Sequence, residues 1–388
     1  MTQPKPFTVD LSEFEVRRVL DQVRHYPWPP APAVDDGWLY GCDATFLEET
    51  CAYWADHYDW RAAVAELNRF PQFTARVEEF DIHFVHVVGE AGGKRPLLLT
   101  HGWPGSHYEF WASIGKLAFP SRHGGKAEDA FDVVVPSLPG FGFSSKPARP
   151  VGQRLTAKLF NTLMTEVLGY DQYLAQGGDW GGLVTSWIGF DHGAPSEGKK
   201  GAKAIHLNMI GFRPKGGPQS PEEVAWITRQ QAMMGMLGAY FGLQASKPQS
   251  LAWLGAGNPV GQAAWILERF HDWSDLRSKP LIGAYTRDQL ITNVMIYVMT
   301  GSFTTGAWYY RGLMEEGGIA AMEGQRCETP TAFANFPGEP LYTAPPRSWA
   351  DRAYNITRWN DMPSGGHFAA MEEPDLFVAD VRDWAASL

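Results

Sequence analysis

Residues 173–182 read Tyr173-Leu174-Ala175-Gln176-Gly177-Gly178-Asp179-Trp180-Gly181-Gly182. A short apolar run leads into a sharp turn, and a helical pattern begins directly after it. Glycines stand two positions before and two positions after Asp179, which is the spacing of a nucleophile elbow, a turn so tight that flanking side chains would collide. The centre of such a turn lies beside the N-terminus of the next helix, where negative charge is favoured. We therefore interpret Asp179 as a carboxylate nucleophile; the alternative is an Asp that caps a helix in a glycine-rich turn.

The size and composition of the chain describe a packed, acidic protein. It has 388 residues, of which 44% are apolar, enough for a sizeable core and two or three structural units. The formal net charge of -10 argues against nucleic acid and anionic membranes as main partners. Its 3 cysteines form no CxxC pair, so a reducing, cytoplasmic location is expected. The sequence shows neither a signal peptide nor an apolar run of roughly 20 residues, so no membrane anchor is expected.

Apolar runs that alternate with helical patterns predict a parallel sheet. Buried strands are predicted over residues 96–100, 131–136 and 204–209, and the turn at Asp179 follows a further strand. Strands and helices in regular alternation are typical of an open parallel sheet with helical crossovers. Ligands bind such sheets at the C-terminal ends of the strands, so we expect His101 and Asp179 at one edge.

A block of helices interrupts the predicted sheet. Residues 214–221 are predicted to form a loop, and Ser220-Pro221-Glu222-Glu223 is a good helix start. From there only helical patterns occur until about residue 317. We expect this block to lie over the strand ends as a lid. The sheet resumes near 331–336, and a final strand is expected near 353–359. The predicted division is an N-terminal extension over 1–92, a first part of the core over 93–212, a helical lid over 213–325 and a second part of the core over 326–388.

The extension is predicted to contain three helices and an alternating strand over 80–87. On that strand His83 and His86 are three positions apart and face opposite sides, so they are expected to be solvated or edge-strand histidines and not a metal site. The helices predicted in the extension begin at Ser12 and cover 43–54 and 60–70, and those in the lid cover 224–237, 259–270, 286–299 and 305–313.

Three side chains of the core occur in the order nucleophile, acid, histidine. Asp179 is followed by Glu339, after a predicted strand, and by His367, in a glycine-rich turn. That is the chain order of the α/β-hydrolase triad, with Asp in the place of Ser. Asp351 and Asp361 also lie within reach of His367 along the chain, so Glu339 is the preferred acid and these two are its alternatives.

Three motifs together carry a resemblance to a known family. They are His101-Gly102-Trp103-Pro104-Gly105-Ser106, Gly177-Gly178-Asp179-Trp180-Gly181 and Gly365-Gly366-His367-Phe368-Ala369-Ala370-Met371-Glu372-Glu373-Pro374. With them the sequence resembles the epoxide hydrolases of the microsomal, juvenile-hormone-type family over nearly its whole length. The resemblance implies an α/β-hydrolase fold, a mostly parallel sheet flanked by helices, with an inserted helical lid and an N-terminal extension. The mammalian members carry an N-terminal membrane anchor that this sequence lacks, so a soluble enzyme is expected.

The resemblance also implies a two-step reaction. Asp179 would attack a ring carbon of a small apolar epoxide and form an alkyl ester, which water activated by His367 would hydrolyse to a vicinal diol. Glu339 would orient His367 and stabilise its cation. The backbone N–H groups of Trp103 and Trp180 would form the oxyanion hole. An epoxide and water are the reactants, and no cofactor or metal is implied.

Two tyrosines of the lid are implied as proton donors. Tyr240 and Tyr310 match the family's positions, and Tyr309 is the neighbour that the sequence does not separate from Tyr310. A phenol with a pKa of about 10 stays protonated at pH 7 and can donate to the opening epoxide oxygen. His101 is expected to shape the turn beneath the oxyanion hole, and Glu372 is expected to be a charge at a helix start.

Other functions fit part of this pattern. A haloalkane or haloacid dehalogenase uses the same Asp and His, with Trp180 as a halide donor, whereas paired lid tyrosines favour an epoxide. A catalytically silent ligand-binding scaffold is the non-enzymatic alternative, against which the intact Asp179–His367 pair argues. Detoxification and natural-product biosynthesis, for example of enediynes, both fit an apolar epoxide. The N-terminal extension either wraps the core or contributes to a homodimer interface.

Overall fold

The computed structural model describes residues 3–33, 37–92, 95–194, 196 and 198–388. The predicted beginning of the core at residue 93 lies outside these ranges. Within them the strands are β1 (Lys5–Phe7), β2 (Gln72–Val77), β3 (Phe80–Val87), β4 (Pro96–Thr100), β5 (Asp132–Pro136), β6 (Gln172–Gly177), β7 (Gly201–Leu207), β8 (Cys327–Asn335) and β9 (Tyr354–Asp361). They form one sheet in the order β1-β2-β3-β5-β4-β6-β7-β8-β9.

The predicted, mostly parallel sheet is confirmed. Strands β4 to β9 pair in parallel with their neighbours. Strands β1, β2 and β3 pair antiparallel, and β3 joins β5 antiparallel. Because β6 lies between β4 and β7 near the middle of the sheet, the turn that follows it emerges at the centre of the C-terminal edge.

Helices cover both faces of the sheet. The helices of the core are α4 (Trp111–Ala118), α5 (Gln153–Thr162, continued by a π-helical turn over Leu163–Val167), α6 (Asp179–Asp191), α14 (Arg347–Ala353), α15 (Ala369–Glu372) and α16 (Pro374–Ala386). Apolar residues of α5 and α6 share one buried cluster, and those of α4 and α16 share another with the strand residues of the opposite face. The strands between these layers are buried on both sides, which explains their continuous apolar runs.

The predicted strands agree with the observed ones most closely where both faces are buried. Strand β4 coincides with its prediction, and β5 begins one residue later than predicted. Strand β7 begins at Gly201 and β8 at Cys327, both earlier than predicted. The apolar pattern marks the buried middle of a strand, whereas its ends pair through backbone groups that any residue supplies.

The segment before the core contributes three strands and three helices. The helices are α1 (Glu13–Arg24), α2 (Ala44–Asp56) and α3 (Trp60–Leu67). The hydroxyl of Ser12 accepts a hydrogen bond from the N–H of Glu15 at 3.4 Å, as expected at this helix start. Strand β3 was predicted, whereas β1 and β2 were not. These two strands make the segment continuous with the sheet of the core.

The expectation for His83 is wrong. Strand β3 lies between β2 and β5 and is not an edge strand, and His83 is fully buried on it. Its ring nitrogens lie 2.9 Å from the hydroxyl of Ser137 and 2.9 Å from the amide oxygen of Gln72. Burial lowers the pKa of His83 to about 3, so the ring is neutral. His86 is half-buried and lies 2.9 Å from the hydroxyl of Tyr170.

The lid consists of helices between β7 and β8. They are α7 (Pro221–Leu237), α8 (Ala239–Ser246), α9 (Pro248–Gly255), α10 (Pro259–Trp273), α11 (Leu281–Ala284), α12 (Arg287–Thr300) and α13 (Ser302–Glu315). The four predicted lid helices correspond to α7, α10, α12 and α13, whereas the shorter α8 and α9 were not predicted. The helix start at Ser220 is confirmed, because its hydroxyl accepts a hydrogen bond from the N–H of Glu223 at 3.2 Å.

Two further properties concern the residues that the structure describes. None of their helices combines the length and the apolar character that a bilayer crossing requires. All three cysteines have free thiols.

Candidate active site

The turn between β6 and α6 is an elbow with Asp179 at its tip. Asp179 has a φ of 49°, a left-handed conformation that non-glycine residues rarely adopt. A Cβ atom on Gly177 would overlap the carbonyl of Gly181, and a Cβ atom on Gly181 would overlap the carbonyl of Thr100. The two flanking glycines are therefore required by the close approach of backbone to backbone, as the spacing predicts.

The carboxylate of Asp179 is held at both oxygens. The N–H of Trp103 donates to Oδ1 at 2.7 Å, and Nε2 of His367 lies 3.3 Å from Oδ2. A side chain on Gly102 would overlap Oδ1, so glycine leaves room for the carboxylate. The N–H of Trp180 belongs to the first turn of α6, whose donors have no acceptor within the helix.

Glu339 is the acid that contacts His367. Its Oε2 hydrogen-bonds to Nδ1 of the imidazole, while its Oε1 accepts hydrogen bonds from the N–H groups of Leu341 at 2.8 Å and Tyr342 at 3.0 Å. Three donors thus fix the orientation of this carboxylate, which in turn fixes the imidazole with Nε2 towards Asp179.

The two alternative acids lie elsewhere. Asp351 pairs on α14 with Arg347 at 2.8 Å, and Asp361 accepts a hydrogen bond from the amide of Asn335 at 2.8 Å. Both of these aspartates are exposed. Neither makes a recorded hydrogen bond or ion pair with His367, so the geometry favours Glu339 among the three candidates.

His367 carries a positive charge in this arrangement. Its burial disfavours the charged form, but the carboxylates of Glu339 and Asp179 outweigh that effect and hold the pKa of His367 well above its ordinary value. The buried array is therefore an imidazolium between two carboxylates. Removal of the charge on either carboxylate would lower this pKa.

The loop that carries His367 is clamped by the carboxylate of Glu372. Its Oε2 accepts hydrogen bonds from Gly366 at 3.0 Å and from Asp275 of the lid at 2.7 Å, and its Oε1 accepts one from Phe368 at 2.9 Å. The N–H of His367 itself donates to the carbonyl of Trp273 at 3.0 Å. Glu372 lies in the first turn of α15, in keeping with the expected helix start, but its side chain is buried and all three of its donors are backbone groups.

The lid tyrosines 240 and 310 converge on the elbow. The ring of Tyr240 stacks on Trp103 with centroids 5.4 Å apart, and the ring of Tyr310 meets the edge of Trp180 at 4.5 Å. Their own ring centroids are 5.8 Å apart. Burial raises the pKa of both phenols well above the ordinary value, so both keep their protons. In Tyr310 the negative charge of Asp179 adds to this effect.

Tyr309 points away from this site. Its hydroxyl donates to the hydroxyl of Thr156 on α5 at 2.8 Å. The hydroxyl of Tyr310 is buried and makes no hydrogen bond of ordinary geometry within the described part of the chain. The geometry therefore separates two adjacent tyrosines that the sequence does not.

A cavity of about 210 Å³ opens beside Asp179. Its walls are mainly apolar and aromatic and come from both the core and the lid. They include Trp180, Trp226, Met234, Phe241, Tyr310 and Tyr342. The hydroxyl of Tyr342 lies 3.2 Å from that of Tyr240, so two phenol oxygens meet at the end of the cavity near the imidazole. The lid thus lies over the strand ends, as predicted.

His101 shapes the turn of the first motif, as expected. Its Nδ1 donates to the carbonyl of Gly102 at 2.9 Å, and its Nε2 accepts from the N–H of Leu138 at 3.1 Å. Burial lowers the pKa of His101 to about 4, which keeps it neutral. It thus joins the ends of β4 and β5 and makes no contact of its own with a reacting group.

Glu109 is a further carboxyl of the site that sequence reasoning missed. It lies in the 3₁₀ turn His107–Phe110, and its carboxyl occupies the space that a side chain on Gly105 would fill. Burial raises the pKa of Glu109 to about 8, although the charge of His367 acts in the opposite direction. The only signal in the sequence is its position eight residues after His101.

Comparison with known proteins identifies the family. A family model described as the N terminus of epoxide hydrolases matches residues 4–110, and one described as the alpha/beta hydrolase fold matches residues 95–197. Epoxide hydrolase 1 of the rabbit, Oryctolagus cuniculus, is 33% identical over 410 residues, which cover 97% of this chain and 87% of the rabbit protein. The chain belongs to the epoxide hydrolase family.

Solved structures of epoxide hydrolases extend this similarity to three dimensions. The juvenile hormone epoxide hydrolase of the silkworm Bombyx mori aligns with a TM-score of 0.86 at 28% identity and covers 100% of this chain and 95% of that one. The epoxide hydrolase of Aspergillus niger aligns with a TM-score of 0.83 at 29% identity, with coverages of 100% and 97%. The predicted resemblance and the α/β-hydrolase fold are confirmed, and this epoxide hydrolase takes an epoxide and water as reactants.

Proposed function

We propose that this epoxide hydrolase works through a covalent ester on Asp179, which water activated by His367 then hydrolyses. The observation that carries the proposal is the row of contacts from Glu339 to Nδ1 of His367 and from Nε2 of His367 to Asp179, 3.3 Å away. It supplies a nucleophile, a base and a group that orients the base, all beside one apolar cavity.

In the first step a carboxylate oxygen of Asp179 forms a bond to a ring carbon while the carbon–oxygen bond of the epoxide breaks. The alkoxide that develops takes a proton from a phenol. Tyr240 and Tyr310 are the proposed donors, because both are protonated and both rings pack beside the elbow. Strain in the three-membered ring assists this step, and no base is required because the attacking carboxylate has no proton to lose.

Esterification then converts His367 into a base. The ester of Asp179 is neutral, so one of the two charges that raise the pKa of His367 is lost. His367 passes its proton to the tyrosinate that the first step leaves, and the neutral imidazole then takes a proton from a water molecule that attacks the ester carbonyl. The N–H of Trp103, already 2.7 Å from Oδ1 of Asp179, is proposed to stabilise the oxyanion with the N–H of Trp180. The bond between the carbonyl carbon and the alkyl oxygen breaks, and the departing oxygen takes the proton from His367, so the diol leaves. The carboxylic acid of Asp179 returns its proton to His367, which restores the carboxylate and the imidazolium.

Intact-mass spectrometry of the His367→Gln variant after exposure to styrene oxide tests this mechanism. Without the base, the ester should accumulate as an adduct of the epoxide's mass on the peptide that contains Asp179. The matched control is His271→Gln, a half-buried histidine stacked on Trp38 of the extension, which should turn over styrene oxide without an adduct.

Two outcomes would contradict the proposal. An adduct that persists in the Asp179→Asn variant would assign the nucleophile to another residue. The absence of any adduct from a broad epoxide panel, together with a dehalogenated adduct from a haloalkane, would favour the dehalogenase alternative, in which Trp180 would supply the halide donor.

A further inference from the structure

Arg213 is a cation at the opening of the cavity that contains Asp179. Among the described residues that line this cavity, Asp179 and Arg213 are the two with a charged side chain. Gln230 and Thr343 add polar groups, and the remaining lining is mainly apolar or aromatic. The side chain of Arg213 is exposed, so it stands where the cavity meets solvent.

The backbone of Arg213 is fixed by long-range contacts. Its N–H donates to the carbonyl of Met322 at 3.2 Å, and its carbonyl accepts from the N–H of Gly324 at 2.8 Å. The preceding residue, Phe212, is fully buried, and its N–H donates to the hydroxyl of Tyr354 at 2.8 Å. The loop after β7 therefore presents this side chain from a rigid base, which reduces the entropy that a ligand must offset.

The guanidinium of Arg213 has no carboxylate partner within 4.0 Å among the residues that the structure describes. Arg352 and Arg277, by contrast, pair with Glu223 and Asp275 at 2.7 Å each. An unpaired arginine on an open surface is common. An unpaired arginine that lines an apolar cavity beside a nucleophile can donate two parallel hydrogen bonds to an anionic group of a ligand in that cavity.

Arg213 lies within electrostatic reach of the catalytic end of the cavity. Burial raises the pKa of Tyr342, and the positive charge of Arg213 acts in the opposite direction on that phenol. Tyr342 in turn lies 3.2 Å from the hydroxyl of Tyr240. Because Asp179 and Arg213 line the same cavity, one ligand can occupy the space beside both.

We propose that the preferred substrates are amphiphilic epoxides that carry a carboxylate at the end remote from the ring, and that Arg213 binds this carboxylate. This inference rests on the proposed attack by Asp179, which it deepens by naming the substrate class. The apolar walls accept the body of the molecule, and the guanidinium pairs with its charged end in a bidentate contact. A local cation is needed because the chain as a whole, with a formal net charge of -10, repels anions.

The test compares three forms of the same terminal epoxide, a carboxylic acid, its methyl ester and the corresponding primary amine, over a series of alkyl spacers. The full-length enzyme should hydrolyse the acid with the highest kcat/KM at an optimal spacer length and the amine with the lowest. Arg213→Met should lower kcat/KM for the acid about tenfold, since a charge-assisted contact at a solvent-exposed site lies at the low end of its range. The ester should change by less than about twofold, because it loses no ion pair.

Arg229→Met is the matched control. Arg229 is an exposed arginine of α7 that does not line the cavity, so this variant makes the same change in net charge elsewhere in the lid. It should leave the preference for the acid unchanged. Arg213→Glu should reverse the order of acid and amine, a result that a merely structural role of Arg213 would not produce.

Equal rates for acid and ester across the whole series, or equal effects of the Arg213 and Arg229 variants on the acid, would overturn the inference. The proposed mechanism would survive such a result as long as His367→Gln still accumulates the adduct with neutral styrene oxide. Loss of that adduct as well would overturn both proposals.

Discussion

The elbow at Asp179 and the loop at His367 meet at 3.3 Å, but they are built in different ways. The elbow is defined by residues close in sequence, since the glycines that it requires stand two positions on either side of Asp179. The histidine loop is held by distant segments. Glu339 lies 28 residues before His367, and the hydrogen bond between Asp275 and Glu372 spans 97 residues.

This difference separates two kinds of information in the sequence. A steric requirement between near neighbours leaves a motif that can be recognised directly. A network of buried carboxylates leaves no such local motif. An Asp or Glu that will be buried looks the same in the sequence as one that will be exposed, because its hydrogen-bond partners are distant along the chain. Substitutions at the two places should therefore fail differently.

The largest effect is expected from Gly181→Ala in the elbow. The new methyl group would overlap the carbonyl of Thr100, a backbone group that cannot turn aside. The free energy of unfolding should fall by at least about 3 kcal/mol, as measured by chemical denaturation, or the soluble protein should be lost.

Gly178→Ala is the control for this steric argument. Gly178 lies between the same elements with a φ of -122°, and a Cβ atom there would meet only the side chain of Asn208, at the ordinary contact distance of 3.5 Å. Its cost should stay below about 1 kcal/mol. Equal destabilisation by both substitutions would mean that the elbow tolerates no side chain for a reason other than the overlap at Thr100.

The next effect belongs to the histidine loop and its acid. Glu339→Gln removes the charge that stabilises protonated His367 and turns an amide N–H₂ towards one of its three donors. Ester hydrolysis should slow roughly 1000-fold, whereas ester formation should change little. Rapid-quench measurement of the covalent adduct separates the two steps.

Asp361→Asn tests the alternative acid in the same assay. Asp361 is exposed at the end of β9 and contacts Asn335 at the end of β8. Turnover should remain within about twofold of the parent, in keeping with a surface polar contact. A larger loss here than in Glu339→Gln would reassign the acid.

Tyr310→Phe should slow ester formation about 10- to 100-fold, because one of the two proposed phenol donors to the epoxide oxygen is removed. Tyr309→Phe should change this rate by less than about twofold, since its hydroxyl is occupied by Thr156 on α5. Single-turnover rates of the two variants make the comparison. Similar losses in both variants would show that the packing of α13, and not a hydroxyl group, limits the first step.

The features that were predicted correctly from the sequence are those that residues close together along the chain determine. The elbow follows from the spacing of Gly177 and Gly181, the lid helix α7 from its start at Ser220, and strand β4 from a continuous apolar run. In each case the physical cause acts within about five residues. The chain order of Asp179, Glu339 and His367 added the one long-range element, because that order is a family pattern.

The remainder required the fold. His83 was expected to be solvated or on an edge strand, because no nearby residue in the sequence identifies Gln72 and Ser137 as its partners. Glu372 was expected only as a charge at a helix start, and its clamp on the histidine loop was not predicted, because its partner Asp275 comes from the lid. Strand β1 is only three residues long, too short for an alternating pattern to be recognised.

Glu372→Gln should weaken the clamp on the histidine loop. The amide group cannot accept hydrogen bonds from Gly366, Phe368 and Asp275 at once, so one N–H loses its acceptor. Ester hydrolysis should slow about tenfold through misplacement of His367, while ester formation is retained. Glu373→Gln breaks a partly exposed pair with Lys279 at 3.3 Å and should leave both steps unchanged. An equal loss in both steps for Glu372→Gln would indicate general damage to the fold.

The smallest effect concerns Glu109, which lies between the two regions. Its pKa in the folded protein, about 8, is above the ordinary value of 4.5, so the unfolded chain releases the proton first as the pH rises. This group therefore makes the folded state progressively less stable between about pH 4.5 and 8.

Glu109→Gln removes the titration, and its Tm relative to the parent should rise by roughly 3 °C from pH 5 to pH 8.5. Glu48→Gln, at an exposed position of α2, should show no such trend. A difference in Tm between Glu109→Gln and the parent that does not vary with pH would contradict the raised pKa of Glu109, because it would mean that this carboxyl is already charged in the folded protein at pH 5.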